Sequence, residues 1–276
     1  MHKYGIICYD TINIGDEIQT IAIRNVLRKI NISIDYYVIR DNMNRIYDAE
    51  YRPVDLSSLD TAKTKIYLFV SGWLSEKFDS NHHPYVFPPP KCIHPIFISV
   101  HMTNDYLSQV VDKHADYFRK YGPIGCRDYS TLHKLNQRKI PAYFSGCATL
   151  TLSVSDFCES KNPSTDSIYV DVKPHISAKN ITHIYRNPRD MKQRFQLAED
   201  LLKKYISAKA VHTSRLHCYL PCTAFDVPVK FINPNPKDAR FDGLIGRSKA
   251  DYQMIRNNFH TIIKKICDDL NVPAHS

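Results

Sequence analysis

Short apolar runs alternate with longer amphipathic stretches along this chain. Residues 4–9 (YGIICY) are apolar and give way to a polar loop at 10–16, the pattern of a buried first strand. From residue 17 the period lengthens: Ile18, Ile21, Ala22, Val26 and Leu27 share one helical face, with Arg24 and Arg28 opposite on a solvated side. The same reading predicts strands over 33–38, 65–71, 95–101, 123–126 and 142–144, and helices over 109–121 and 130–137. Between them, the proline density of 81–95 (NHHPYVFPPPKCIHP) forbids regular structure. The turn formers of 161–167 (KNPSTDS) read as a linker. Beyond it lie strands at 168–172, 208–213 and 229–232 and helices at 191–204, 216–225 and 251–270.

Strands that are apolar throughout and alternate with helices predict parallel sheets covered on both faces. The expected architecture is α/β, with Rossmann-like domains at 1–160 and 168–247 and a cleft between them. A final helical segment, 248–276, is free to pack back on the first domain. A length of 276 residues suits two domains and a core that needs no metal or disulfide staple. Hydrophobic residues at 43% and charged ones at 24% exclude a disordered or fibrous chain.

Composition narrows the chemistry. The eight glycines form neither G-x-G-x-x-G nor G-x-x-x-x-G-K-[ST], which argues against a standard dinucleotide fold or a P-loop ATPase. The eight cysteines are dispersed with no C-x-x-C pair, and read as buried reduced thiols of a cytoplasmic protein. The N-terminus turns polar too early for a signal peptide, and no run approaches the ~20 apolar residues of a membrane span. Thirty-seven Lys and Arg against 28 Asp and Glu leave +9, which suggests an anionic partner. With no RNP, zinc-finger or helix-turn-helix signature, nucleic acid is not the expected one. The His82–His83 pair reads as loop chemistry rather than a metal site.

In doubly wound sheets ligands bind beyond the carboxyl ends of the strands, so the loops there are the candidates. After the first strand, Asn13, Gly15, Asp16 and Gln19 open a helix whose amides favour an anion, or else Asp16 and Gln19 form a helix cap. After 123–126, Arg127 offers a planar fork for carboxylate or phosphate, beside an Asp128 that fixes the fork or caps the next helix. After 142–144, Ser145, Gly146 and Thr149 belong to a small-residue loop that lets backbone amides approach a bound group, or packs the domain joint. After 208–213, Ser214, Arg215 and His217 enter a helix, and His217 exchanges a proton near neutral pH.

Residues 13–20, 126–131 (CRDYST), 143–152 (YFSGCATLTL) and 213–217 (TSRLH) occur in the order and loop context of the polysaccharide pyruvyl transferase family, which the sequence resembles across about 4–247. The resemblance implies a two-domain fold similar to GT-B glycosyltransferases and transfer of the enolpyruvyl unit of phosphoenolpyruvate to two hydroxyls of one sugar as a cyclic ketal. Phosphate leaves, and no metal or other cofactor is required. By resemblance Arg127 and Arg215 hold the donor, His217 protonates its methylene carbon, and His101 makes a second histidine contact. Asn13, Asp16 and Gln19 then line the acceptor side, with Ser145, Gly146, Thr149 and Ser214 as further binding positions. The chain is short for the family. The alternatives are a GT-B-like glycosyltransferase using a nucleotide sugar, or a non-catalytic protein binding acidic glycans or nucleic acid.

Overall fold

The computed structural model describes residues 2–59, 63–75, 87–161, 164–172, 179–185, 190–232, 235 and 238–271. His82–His83 lies outside them, as do parts of the proline-rich segment and of the 161–167 linker.

Among the described residues the strands form two sheets. The larger contains β1 (His2–Cys8), β2 (Tyr36–Ile39), β3 (Ile46–Asp48), β4 (Pro53–Val54), β5 (Lys65–Leu74), β6 (Ile93–Met102), β7 (Ile124–Cys126) and β8 (Ala142–Phe144), in the order β4-β3-β2-β1-β5-β6-β7-β8. The smaller contains β9 (Ser167–Val170), β10 (Lys179–Ile181), β11 (Ala210–Thr213) and β12 (Val229–Phe231), in the order β10-β9-β11-β12. All pairings are parallel except the antiparallel edge β2–β3–β4. Helices α1 (Gly15–Lys29), α2 (Asn104–Tyr106), α3 (Ala115–Lys120), α4 (Tyr129–Gln137), α5 (Met191–Ser207), α6 (Leu216–Ala224) and α7 (Lys249–Asn271) complete the α/β arrangement.

Parallel strands buried on both faces explain the apolar runs: Leu68, Phe69 and Val70 of β5 are fully buried. One core, with Val38, Leu68, Val100 and Phe118, covers one face of the larger sheet. A second runs from Ile6 and Ile18 through Phe195, Leu202 and Cys218 to Phe259, joining α1 to the smaller sheet and its helices. Helix α1 is therefore buried nearly all round, and Arg24 is not on a solvated face. It pairs with Glu199 of α5 at 2.6 Å and lies over the Phe195 ring. Glu17 and Arg194 make a second α1–α5 pair at 2.7 Å, both buried. Each fully buried Ile or Leu of α1 contributes about 1.5–3 kcal/mol, so the apolar face outweighs the few polar groups it carries inward.

Three strands escape the sequence pattern. β3, β4 and β10 are two or three residues long, too short to show a period. The helix expected over 109–121 is two pieces, Leu107–Val111 and α3, because His114 leaves the helical region at φ −124°, ψ 34°. β5 runs on beyond residue 71 through Gly72, whose φ of +98° accompanies a register shift against β6. A Cβ on Gly72 would lie 2.0 Å from the Tyr9 hydroxyl, which donates to the Ser71 carbonyl. That close approach carries Trp73 to the end of the strand. All eight cysteines are free, and all but Cys158 are buried.

Candidate active site

The carboxyl ends of strands from both sheets face one recess of about 200 Å³. From the larger sheet, the β1 loop brings Thr11, Asn13 and Asp16, β2 is followed by Arg40, β5 ends near Trp73 and Ser75, and β7 is followed by Arg127. From the smaller sheet, His183 follows β10, and Ser214, Arg215 and His217 follow β11. Arg240 enters from a later loop. The two sides are stitched beside the recess by a bridge between Asn13 and Ile184, in which the Ile14 N–H donates to the His183 carbonyl at 2.8 Å.

Each side chain is held by local chemistry. Asp16 does not cap α1, where Ile14 occupies the N-cap without a side-chain bond. Its carboxylate accepts instead from Thr11 Oγ1 at 2.9 Å and Asn13 Nδ2 at 3.4 Å, folding the loop over the helix start. Burial pushes the Asp16 carboxyl up, and Arg40, Thr11 and Arg194 oppose that only in part. Gly15 permits contact with the second sheet's side, since a Cβ there would meet His183 Nδ1 at 2.4 Å. Asp128 does cap α4, accepting from the Thr131 N–H at 2.8 Å, but its other oxygen holds His101 rather than the Arg127 fork.

Arg127 is the least ordinary group. It is 2% exposed, yet among the described residues it makes no ion pair. Its Nη1 donates to Gln19 Oε1 at 3.4 Å and faces His217 Nε2 at 3.3 Å, while Nε has no partner. A buried, unneutralised guanidinium is expensive, which points to an anion as its missing counterpart. Arg215 differs: its Nε is fixed on Asp171 Oδ2 at 2.8 Å, leaving the two terminal nitrogens for a ligand. Asp171 is itself set at φ +51° and tied by Thr182 Oγ1 at 2.7 Å and the His183 N–H at 3.0 Å. Arg40 pairs with Asp41 at 2.5 Å, and Arg240 with Asp238.

His217, half-buried in the first turn of α6, has its imidazolium form strongly disfavoured. Burial is the main cause, reinforced by the fields of Arg127 and His183, with a backbone hydrogen bond at Gly15 opposing. The ring is neutral, with Nε2 accepting from Arg127 Nη1. The starts of α1 and α6 both face this space, adding the partial positive charge of two helix N-termini.

The recess thus unites Asn13, Asp16, Arg127, Ser214, Arg215 and His217. Gln19 sits beneath it, fully buried, as a support for Arg127. Besides Gln19, four expected positions lie outside its lining. His101 lines a neighbouring cavity. Ser145, Gly146 and Thr149 are buried packing elements: Ser145 Oγ donates to the Cys126 carbonyl and accepts from the Ser99 N–H, Thr149 meets Cys147, and Gly146 abuts Ile255 of α7. Their small size serves the joint with α7, the packing alternative already open in the sequence. Sequence reasoning missed Arg40, Trp73, His183 and Arg240. Arg40-Asp41 ends a strand as Arg127-Asp128 does, so the strand-end rule could have found it; the other three follow an unforeseen bulge, an unforeseen strand and a loop.

Four arginines and two helix starts gather around one recess at the ends of parallel strands. A model of the polysaccharide pyruvyl transferase family matches residues 13–236, and the chain belongs to that family of transferases. Its fold is similar to the crystal structure of a functionally uncharacterized protein from Klebsiella pneumoniae subsp. pneumoniae, with a TM-score of 0.60, 15% identity and 87% of each chain covered. No curated protein matches the sequence. Among the described residues, no helix is long and apolar enough to cross a membrane.

Proposed function

We propose that the protein takes the enolpyruvyl unit of phosphoenolpyruvate and sets it on two hydroxyls of one sugar as a cyclic ketal, releasing phosphate. The observation that carries this is Arg127: a buried cation with no carboxylate partner among the described residues, beside a neutral histidine and across from the free fork of Arg215. Phosphoenolpyruvate has two anionic ends, and two guanidinium forks suit them bidentately. The two sheets act as GT-B-like halves, 1–160 and 168–247, with α7 as a closing helix. No metal enters the scheme.

His217 supplies the proton to the methylene carbon. Without the donor, burial and, after it, the field of Arg127 keep the ring neutral; the donor's negative charge offsets that field and draws a proton onto the ring. A positioned acid of this kind contributes on the order of 10²–10⁴ in rate. Protonation makes the substituted carbon electron-poor, and a sugar hydroxyl attacks it.

The test is phosphate release from phosphoenolpyruvate with a panel of sugar conjugates, alongside donor binding by calorimetry. His217→Asn is expected to bind donor and not turn over, whereas Arg215→Ala loses donor binding. No release with any acceptor together with no donor binding overturns the reading. Stronger thermal stabilisation by uridine diphosphate than by phosphoenolpyruvate would favour a nucleotide-sugar glycosyltransferase instead.

A further inference from the structure

His101 ends β6 and lines a second cavity, of about 270 Å³, with Trp73, Asn104, Lys134, Asp238 and Arg240. Trp73 and Arg240 also line the arginine recess, so the two spaces share a wall. His101 Nδ1 lies 2.7 Å from Asp128 Oδ2, a carboxylate that also takes the Thr131 N–H at 2.8 Å. A carboxylate accepts only, so Nδ1 carries the hydrogen and Nε2 is left with its lone pair. Among the described residues Nε2 makes no hydrogen bond. Burial lowers the imidazolium's stability more than Asp128 restores it, so the ring is neutral and able to accept a proton.

The rest of the cavity has the makings of a sugar site: one indole, with an amide, an ammonium and a carboxylate close by. The indole N–H of Trp73 is buried without a partner. Pyranosides present C–H faces to aromatic rings and hydroxyls to such groups. Arg127 and Asp128 are consecutive, and each holds one imidazole, His217 at 3.3 Å and His101 at 2.7 Å. One peptide unit therefore ties together a ring on each side of the shared wall.

We infer that the cavity around His101 is the acceptor subsite: it takes a pyranoside against Trp73, with His101 as general base for the attacking hydroxyl and Asp128 as its positioning residue. This rests on the donor reading above and moves His101 from the donor to the acceptor. The hydroxyl oxygen bonds to C2 of the enolpyruvyl group and its proton passes to His101 Nε2. The C2=C3 π pair takes a proton from His217, leaving a methyl group. The bond from C2 to the phosphate oxygen then breaks, its electron pair leaving with phosphate, as the second hydroxyl oxygen bonds to C2. That hydroxyl's proton departs on phosphate. His101 loses its proton to water and His217 regains one, so the enzyme ends unchanged.

Trp73 is the chain's only tryptophan, so selectively excited tryptophan emission reports on the wall that this cavity shares with the arginine recess. Titrating the full chain with methyl β-galactopyranoside, methyl α-mannopyranoside and methyl N-acetyl-β-glucosaminide is expected to give a saturable emission change for at least one, persisting with phosphoenolpyruvate bound. His101→Gln should keep that change and donor affinity while turnover falls on the order of 10²-fold or more. Asp128→Asn, which keeps the α4 cap, should lower kcat about tenfold with KM unchanged. The inference is overturned if no glycoside alters Trp73 emission at millimolar concentration, if Asp128→Asn leaves kcat intact, or if His101→Gln instead weakens donor binding. A glycoside response in a protein that binds no phosphoenolpyruvate would sink the donor reading and leave the sugar subsite standing.

Discussion

Nη1 of Arg127, just past a strand of the eight-stranded sheet, stands 3.3 Å from Nε2 of His217, in a helix that follows a strand of the four-stranded one. A permanent cation and a titratable ring in that contact control each other. The guanidinium reinforces the burial that keeps the ring neutral, and the ring lends the guanidinium an acceptor but no charge.

Arg127→Met is therefore expected to separate stability from function. Replacing a buried unpaired cation by an apolar chain of similar length stabilises by on the order of 1–3 kcal/mol. Thermal melts of the ligand-free protein should rise, while calorimetry shows phosphoenolpyruvate binding abolished. A fall in melting temperature would mean that Arg127 is structurally compensated.

The lowered His217 pKa gives a pH signature with a definite sign. Unfolded, the ring takes up a proton as pH falls through about 6.5; folded, it resists. The unfolded state binds more protons there, so the histidine's contribution is fully present above about 6.5 and is lost as pH falls from there toward the lowered folded value. The difference in stability between wild type and His217→Asn should shrink over that window in denaturant titrations. A difference that stays flat contradicts a neutral His217.

Donor binding should move that same equilibrium the other way. Bringing negative charge beside Arg127 and Arg215 raises the ring's pKa, so binding takes up protons near neutral pH. Calorimetric enthalpies for phosphoenolpyruvate measured in buffers of different ionisation enthalpy should diverge, and the divergence should vanish in His217→Asn.

Asp171 has a positioning role, with its carboxylate on Arg215 Nε at 2.8 Å and on Thr182 and the His183 N–H. Asp171→Ala should weaken donor affinity about tenfold, roughly 1.4 kcal/mol, through loss of fork orientation. Most of that should appear in KM. A larger fall in kcat than in affinity would assign Asp171 to the chemistry itself.

Gly72→Ala tests how Trp73 reaches the site. At φ +98° and with the Tyr9 hydroxyl 2.0 Å from the added Cβ, the substitution needs both strain and displacement. It should destabilise by about 1–3 kcal/mol and shift Trp73 emission. Unchanged emission would show that the strand bulge is not what sets the indole.

The β-α alternation, the apolar parallel strands and the strand-end loops were legible in the order of residues alone, because strand and helix periods are local properties of the chain. Arg127, Ser214, Arg215 and His217 could be singled out for the same reason: cations and an imidazole just after apolar strands have few other uses. What local pattern could not decide was distance. The sequence offered Ser145, Gly146 and Thr149 as cleft residues, yet the long helix α7, over a hundred positions later, packs Ile255 against Gly146 and buries them. It could not pair His101 with Asp128, or reveal that Arg127 goes without a carboxylate, since both facts depend on which strands become neighbours. Chemistry-bearing residue types are written along the chain, but their charges and partners are fixed by burial and by contacts between segments far apart in it.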